Sequence, residues 1–326
     1  MIDTTKIIAK YSKDEFESKA LDVFRFQFKN NPIYNEFCHY LGRSSSSVKK
    51  VQQIPFLPIH FFKSKKVVAT NSDVQTVFSS SGTTGQAFSK HYITDIKLYE
   101  RSYTKGFQYF YGDVGQYCII ALLPSYLERS GSSLIYMVNG LIEKSNHPES
   151  GFYLNGIDRL IDTLTTLDAK GNKVLLIGVS FALLDLVEKH QLRLKNTIVM
   201  ETGGMKGRRK ELIRKELHDY LKKGFGIETI HSEYGMTELL SQAYSKGNGR
   251  FKTPPWMKLL IRDTEDPLNF VPFGKTGGIN VIDLANIYSC SFIATQDLGK
   301  MYEDGSFEIL GRFDHSDVRG CNLMVI

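Results

Sequence analysis

A layered α/β domain around a mainly parallel sheet is the fold this sequence predicts, and three features predict it. Strand-like and helix-like stretches alternate for more than a hundred residues from residue 94 onward. Two of the strand-like stretches, 117–123 and 173–179, are continuously apolar, the pattern of strands covered on both faces. Glycine-bearing loops follow two later strand-like stretches, in the place where ligands collect in an open α/β sheet.

The elements follow in chain order. Residues 1–70 read as a helical and extended segment packed on the body. In residues 12–42, Phe16, Ala20, Phe24 and Phe28 recur every four residues on one face, and Ser12-Lys13-Asp14-Glu15 supplies a capping box before them. Residues 54–63 hold two prolines, so they are expected to lie extended against the body. His60 among aromatics there reads as a packed, hydrogen-bonded histidine before a catalytic one. Residues 71–246 form the α/β core. Thr94 is expected to cap a helix through Tyr111, and helices follow over 132–141, 156–167 and 181–190. Residues 197–201 are a third strand, 206–223 a basic amphipathic helix, and 227–231 a fourth strand. Residues 247–326 change to short strands with Gly, Pro and Asp turns, a small β subdomain and C-terminal tail.

At 326 residues, 42% hydrophobic and 23% charged, the chain is an ordinary globular one, large enough for one big domain or two unequal ones. A net charge of +6, with both signs mixed, suits an anionic ligand such as a nucleotide but gives no ground for nucleic-acid binding. Cys38, Cys118, Cys290 and Cys321 lie far apart with no CxxC pair, which argues against a disulfide framework or a zinc site. Residues 1–6 lack a signal-peptide pattern, and no apolar run approaches a membrane span. The expectation is a cytoplasmic protein with free thiols.

The oddest stretch is Ser79-Ser80-Ser81-Gly82-Thr83-Thr84-Gly85, whose hydroxyls and glycines could not fill a core. It lies between the alternating residues 74–78 and Lys90-His91-Tyr92-Ile93, as a tight connection within a sheet does. Glycine opens backbone N–H groups to close approach, hydroxyls donate to phosphate oxygens, and Lys90 adds positive charge; the pattern points to a phosphate-gripping loop. A flexible serine-rich linker is the bland alternative. The Gly-x-x-x-x-Gly-Lys spacing of a Walker A loop fails.

In Thr202-Gly203-Gly204-Met205-Lys206-Gly207, Gly203 and Gly204 either admit a flat base or simply turn the chain into a helix. Tyr234-Gly235-Met236-Thr237-Glu238 follows the next predicted strand. Thr295-Gln296-Asp297-Leu298-Gly299 and Gly311-Arg312-Phe313-Asp314 each set a charged residue beside a glycine, and each alone reads equally well as a β-turn.

Together, and in this order, these loops resemble the motifs of the adenylate-forming superfamily of acyl-CoA synthetases, luciferases and peptide-synthetase adenylation domains. Ser80 to Gly85 is similar to its phosphate loop and Tyr234 to Glu238 to its Tyr-Gly-x-Thr-Glu motif. Thr295 to Gly299 looks like its Thr-Gly-Asp-Leu segment, and Gly311 to Asp314 like its hinge. The short N-terminus and Leu123-Pro124-Ser125-Tyr126-Leu127-Glu128-Arg129-Ser130-Gly131-Ser132-Ser133 most resemble the acyl-protein synthetases of bacterial bioluminescence, the LuxE family, with phenylacetate-CoA ligases next. Three departures stand out. Gln86-Ala87-Phe88-Ser89 separates the phosphate loop from Lys90, the hinge lacks its lysine after Asp314, and the sequence ends six residues after Gly320, where relatives continue into a small mobile domain. That domain is expected to be absent here.

The resemblance implies that residues 71–246 are an adenylation core and that the chain is an ATP-dependent ligase. It would join a carboxylic acid, a fatty acid by family, to AMP and pass the acyl group to a thiol. The hydroxyls and amides of Ser80, Ser81, Gly82, Thr83, Thr84 and Gly85 would hold the β- and γ-phosphates, with Gly203, Gly204, Tyr234 and Gly235 also at the nucleotide. Thr237 would meet the α-phosphate or the acyl carboxylate, Glu238 would bind Mg²⁺, Asp297 the ribose hydroxyls, and Arg312 ribose or phosphate. Cys321 reads either as a buried thiol of a last strand or, beside Gly320 and the cationic Arg319, as a nucleophile of lowered pKa. The family implies the latter, a carrier cysteine near the C-terminus that loads a reductase partner. An aryl- or acyl-CoA ligase, and an inactive nucleotide-binding module, are the alternatives; ATP–pyrophosphate exchange separates the module from both enzymes.

Overall fold

The computed structural model of the chain describes residues 3–80, 88–123, 131–153, 156–203 and 212–313. It opens on two helices, α1 (Lys13–Asn30) and α2 (Pro32–Tyr40). Ser12 and Glu15 close the capping box reciprocally, the Ser12 amide donating to Glu15 Oε2 at 2.7 Å and the Glu15 amide to Ser12 Oγ at 3.3 Å. The helical pattern of 12–42 breaks in the middle because Asn31 ends one helix and caps the next, and Pro32 can begin a helix but not continue one. Phe16, Ala20 and Phe24 are buried, and Gln27 beside them fastens α1 to the far end of the chain. Its amide donates to the carbonyls of Asn286 and Ile287 at 3.0 and 2.8 Å.

The extended reading of residues 54–63 holds only for its first part. β1 (Leu57–Pro58) runs parallel to a C-terminal strand, then the one-turn helix α3 (Phe61–Ser64) follows. His60 is an exposed N-cap residue of α3 and not the packed, hydrogen-bonded histidine expected; Phe62, not His60, turns inward. β2 (Thr76–Ser79) and β3 (Lys90–Ile93) form an antiparallel pair of their own, Ser79 opposite Lys90, with the hydroxyl-rich stretch joining them. Asp95, not Thr94, caps α4 (Ile96–Tyr111), its carboxylate accepting from the Leu98 amide at 3.2 Å while Thr94 is buried.

The α/β half then runs β4 (Cys118–Leu122), α5 (Ser133–Ser145), β5 (Gly151–Phe152), α6 (Ile157–Ala169), β6 (Val174–Val179), α7 (Ser180–Lys189), β7 (Thr197–Thr202), α8 (Arg214–Phe225) and β8 (His231–Tyr234). Every residue of β4 and β6 is buried, as continuous apolar strands require. Two boundaries differ most from the reading above. The basic helix, where described, begins at Arg214, with Leu212 and Ile213 outside it. The fourth strand starts at His231 rather than ending there. Ile227, Thr229 and Ile230 favour extended backbone, but β7 meets the chain only from Met200, which pairs with His231.

β9 (Ala243–Ser245) returns antiparallel to β8, and the sheet changes character at that point. β10 (Phe251–Lys252), β11 (Met257–Arg262), β12 (Thr276–Asp283), β13 (Phe292–Met301) and β14 (Phe307–Arg312) extend it with antiparallel pairs. Among the described residues twelve strands make one sheet in the order β11-β12-β13-β14-β10-β9-β8-β7-β6-β4-β5, with β1 beside β13. The sheet is therefore parallel over β4–β8, as the apolar runs predict, while the described short strands after residue 247 join that same sheet through antiparallel pairs. Among the described residues no helix is long and apolar enough to cross a membrane.

Candidate active site

The loop between β8 and β9 leaves the carboxyl end of the last parallel strand, the side of an open α/β sheet on which ligands bind. Tyr234 is the last residue of β8, inside the strand rather than in the loop after it. Its buried hydroxyl donates to Asp297 Oδ2 on β13 at 2.7 Å. Burial and the neighbouring Asp297 push the phenol well above its usual range, so Tyr234 stays a donor. Asp297 Oδ1 accepts from Arg312 Nε at 3.1 Å, and its amide donates to Thr295 Oγ1 at 3.1 Å. Behind this pair Arg262 donates to the Thr295 carbonyl at 2.6 Å.

Glu238, four residues after Tyr234, is buried to 6% exposure. Desolvation raises its carboxyl; a hydrogen bond from the Ser89 hydroxyl, its own amide and the charge of Arg312 pull partly the other way. The loop is pinned from behind. The amides of Leu240 and Ser241 donate to Asp283 Oδ2 at 2.8 and 2.9 Å, and the Ser241 hydroxyl to Oδ1 at 2.6 Å. His91 Nδ1 stands 2.8 Å from the Thr237 carbonyl and its Nε2 3.0 Å from Asn286 Oδ1. Burial pushes this imidazole down to about 4 against the pull of its two partners. Gly235 belongs where it is because a Cβ there would stand 2.5 Å from Glu233 Oε1.

At the neighbouring strand end, Gly203 adopts φ +67°, and its carbonyl accepts from Ser180 Oγ at 3.2 Å. Glu201 just before it is buried in an ion pair with Arg214, with His218 Nε2 at 3.6 Å. Across from Thr202, Glu233 accepts the Thr202 hydroxyl at 2.5 Å, and burial pushes its carboxyl up to about 7.

The structure thus brings together Tyr234, Gly235, Thr237, Glu238, Asp297 and Arg312, and places Ser80 beside Ser89. Ser81, Gly82, Thr83, Thr84, Gly85, Gly204 and Cys321 lie outside the described residues. Sequence reasoning missed Ser89, His91, Glu201, Glu233 and Asn286. For Ser89 and His91 a signal existed: they alternate with Lys90 on the buried side where the chain enters β3. For the others there was none, because a single acid or amide has no period.

A sheet of this topology, parallel on one side and antiparallel on the other, is similar to that of adenylate-forming ligase domains. The same fold occurs in 2-hydroxyisobutyryl-CoA ligase bound to an acyl-AMP, with a TM-score of 0.70 and 13% identity over 92% of this chain and 68% of that one. It occurs also in ATP-bound MatB of Rhodopseudomonas palustris, with a TM-score of 0.54 and 20% identity, over 74% of this chain and 49% of that one. The family model for LuxE acyl-protein synthetases matches residues 8–326, and the chain belongs to that family. The long-chain-fatty-acid–luciferin-component ligase of Vibrio harveyi is 24% identical over 323 residues, 92% of this chain and 84% of that protein. As a member, the chain forms an acyl-adenylate at the expense of ATP and transfers the acyl group to a thiol.

Proposed function

We propose that the acid is a long-chain fatty acid, that Mg²⁺ accompanies the ATP, and that Cys321 carries the acyl group to a reductase partner. The name of the Vibrio harveyi relative supports the fatty acid. The observation that carries the residue roles is the 2.7 Å hydrogen bond from Tyr234 to Asp297, which joins two motifs from opposite halves of the sheet.

Asp297 accepts from the ribose hydroxyls. Its oxygens already take one donor each, from Tyr234 and Arg312, and a carboxylate has room for more. Ser80 Oγ accepts from the Ser89 amide and keeps its own proton to donate to a phosphate oxygen, alongside Ser81, Thr83 and Thr84. The donor set suits magnesium. Among the described residues no group of three or more His, Cys, Asp or Glu could hold a metal, and a lone buried Glu238 supplemented by phosphates and water matches what this ion takes. Bound there, it would neutralise phosphate charge. Thr237 donates to the α-phosphate or the acyl carboxylate. The substrate carboxylate attacks the α-phosphorus and pyrophosphate leaves; a thiolate then attacks the acyl carbon and AMP leaves. Among the other cysteines, burial pushes Cys118 up to about 11 and Cys38 to about 12, and raises Cys290 as well. None of the three is a thiolate near neutral pH, which favours Cys321 as the carrier.

Acid-dependent ATP–pyrophosphate exchange across a series of chain lengths tests the substrate; exchange with short or aromatic acids alone would replace the fatty acid. Glu238→Ala should cut exchange about 100-fold or more while the thermal transition stays in place. Labelled acid with Mg–ATP should leave a hydroxylamine-sensitive label on the wild type and none on Cys321→Ser, with exchange retained. Equal labelling of both proteins would move the acceptor elsewhere, and CoA turnover without labelling would favour the CoA-ligase alternative.

A further inference from the structure

The ladder between β12 and β13 is interrupted at the segment that carries Asp297. Gly278 faces Leu298 and Asn280 faces Ala294, so Ile279 alone stands opposite Thr295, Gln296 and Asp297. β13 bulges there, and a bulge both re-aims side chains and leaves backbone groups without ladder partners. Arg262, on β11 beyond β12, supplies donors to them. Its guanidinium crosses Gly278, its partner in the β11–β12 register, where a Cβ would come within 2.4 Å of Arg262 Cζ. Nη1 donates to the Ile279 carbonyl and to Asn280 Oδ1, both at 2.9 Å, and Nη2 donates to the Thr295 carbonyl at 2.6 Å. The Thr295 hydroxyl donates to the same Ile279 carbonyl at 2.9 Å and accepts the Asp297 amide at 3.1 Å. Burial lowers the guanidinium pKa and the charge of Asp297 raises it, so that carboxylate offsets part of the cost of burying the cation. Arg262 Cζ also lies over the Phe313 ring, 5.3 Å from its centroid, and the Phe313 amide donates to the Gln296 carbonyl at 2.8 Å.

We propose that Arg262 is a positioning residue: by filling the bulge from a third strand it fixes the backbone that aims the Asp297 carboxylate at the nucleotide ribose. The proposal rests on Asp297 having the ribose role given above. Its physical basis is the shape of the donor group. A guanidinium presents several N–H donors in one rigid plane, enough to bond carbonyls on two strands and an amide oxygen at once, whereas an ammonium or an aliphatic side chain cannot hold that fork. Gly278 is the other half of the device, because a residue without Cβ lets the guanidinium lie across β12. Without Arg262 the Thr295 carbonyl loses this donor and the bulge is free to rearrange. Asp297 then moves relative to the ribose, while the contacts to the phosphates stay as they are.

Calorimetry with ATP and 2′,3′-dideoxy-ATP provides the test, since the two differ only in the ribose hydroxyls. The wild type should prefer ATP about tenfold or more. Arg262→Met should bring that preference below about threefold while binding dideoxy-ATP as the wild type does. Gly278→Ala should do the same with the arginine still present, because the new Cβ displaces its guanidinium. Adding Gly278→Ala to Arg262→Met should then cost nothing more. Equal weakening of both nucleotides would mean a merely structural role and would overturn the proposal, as would a wild-type preference for ATP in either variant. If Arg262→Met does not fold, Gly278→Ala decides alone. Asp297→Asn separates the proposal from the reading beneath it. Should Asp297→Asn keep the wild-type preference, the ribose role fails and the proposal with it. If Asp297→Asn loses the preference and Arg262→Met keeps it, only the positioning role fails.

Discussion

In the parallel half of the sheet Arg214 reaches from α8 to Glu201 at the end of β7; in the antiparallel half Arg312 on β14 reaches Asp297 on β13. Both carboxylates are buried, with side chains 3% and 7% exposed, but the arginines differ: 29% exposed for Arg214 and 78% for Arg312. Burial alone would raise the Glu201 carboxyl, yet the charge of Arg214 and hydrogen bonds from His218 and Ser232 outweigh it and hold the group below its usual range. Glu201 also accepts from Ser180 Oγ at 3.2 Å, the hydroxyl that holds the Gly203 carbonyl. The first pair braces a strand end, whereas the second leaves its cation in solvent beside the nucleotide ribose we assign to Asp297. The same two side-chain types serve stability or binding according to how much water the cation keeps.

Breaking the buried pair should have the largest effect. Arg214→Leu leaves Glu201 charged and unpaired in the core, and urea unfolding should show a loss of about 3–5 kcal/mol. A loss under about 1 kcal/mol would place Arg214 with the surface arginines. Glu233 sharpens the contrast, because it lies one strand over from Glu201 and has no ion-pair partner among the described residues. Its pKa is raised from 4.5 to about 7, so the stability its proton confers is full below pH 4.5 and lost as pH rises through 7. Glu233→Gln, neutral throughout, should gain on the wild type by on the order of 3 kcal/mol across that interval. A pH-independent difference would mean the carboxyl is ionised throughout.

Asp297→Asn keeps an acceptor for Tyr234 but removes the charge. It should raise the dissociation constant for nucleotide about tenfold and leave turnover nearly unchanged. An effect on turnover alone would contradict a ribose role. The smallest change belongs to Arg312→Ala, expected within about 0.5 kcal/mol in stability because its cation is already hydrated. A larger loss would make the two arginine pairs alike.

Some of the site was plain in the chain. The hydroxyl-rich loop, the Tyr-Gly-x-Thr-Glu segment and Asp297 announce themselves by composition and order, and Tyr234, Asp297 and Arg312 do meet. The histidine that matters did not announce itself. His60 drew notice among its aromatic neighbours and is exposed, while His91, in an unremarkable strand, is the buried one that grips the motif loop.

By itself the sequence determined what depends on near neighbours. It set the apolar runs that must be buried strands, the Ser12–Glu15 cap, the helix break at Asn31–Pro32, and the order of the motifs, since these follow from side-chain period and local hydrogen bonding. Only the tertiary structure decided which polar groups meet. Tyr234 and Asp297 are 63 residues apart and His91 and Thr237 are 146 apart. Such partners are chosen when strands pair and desolvation makes every buried donor seek an acceptor, and no local pattern records the choice.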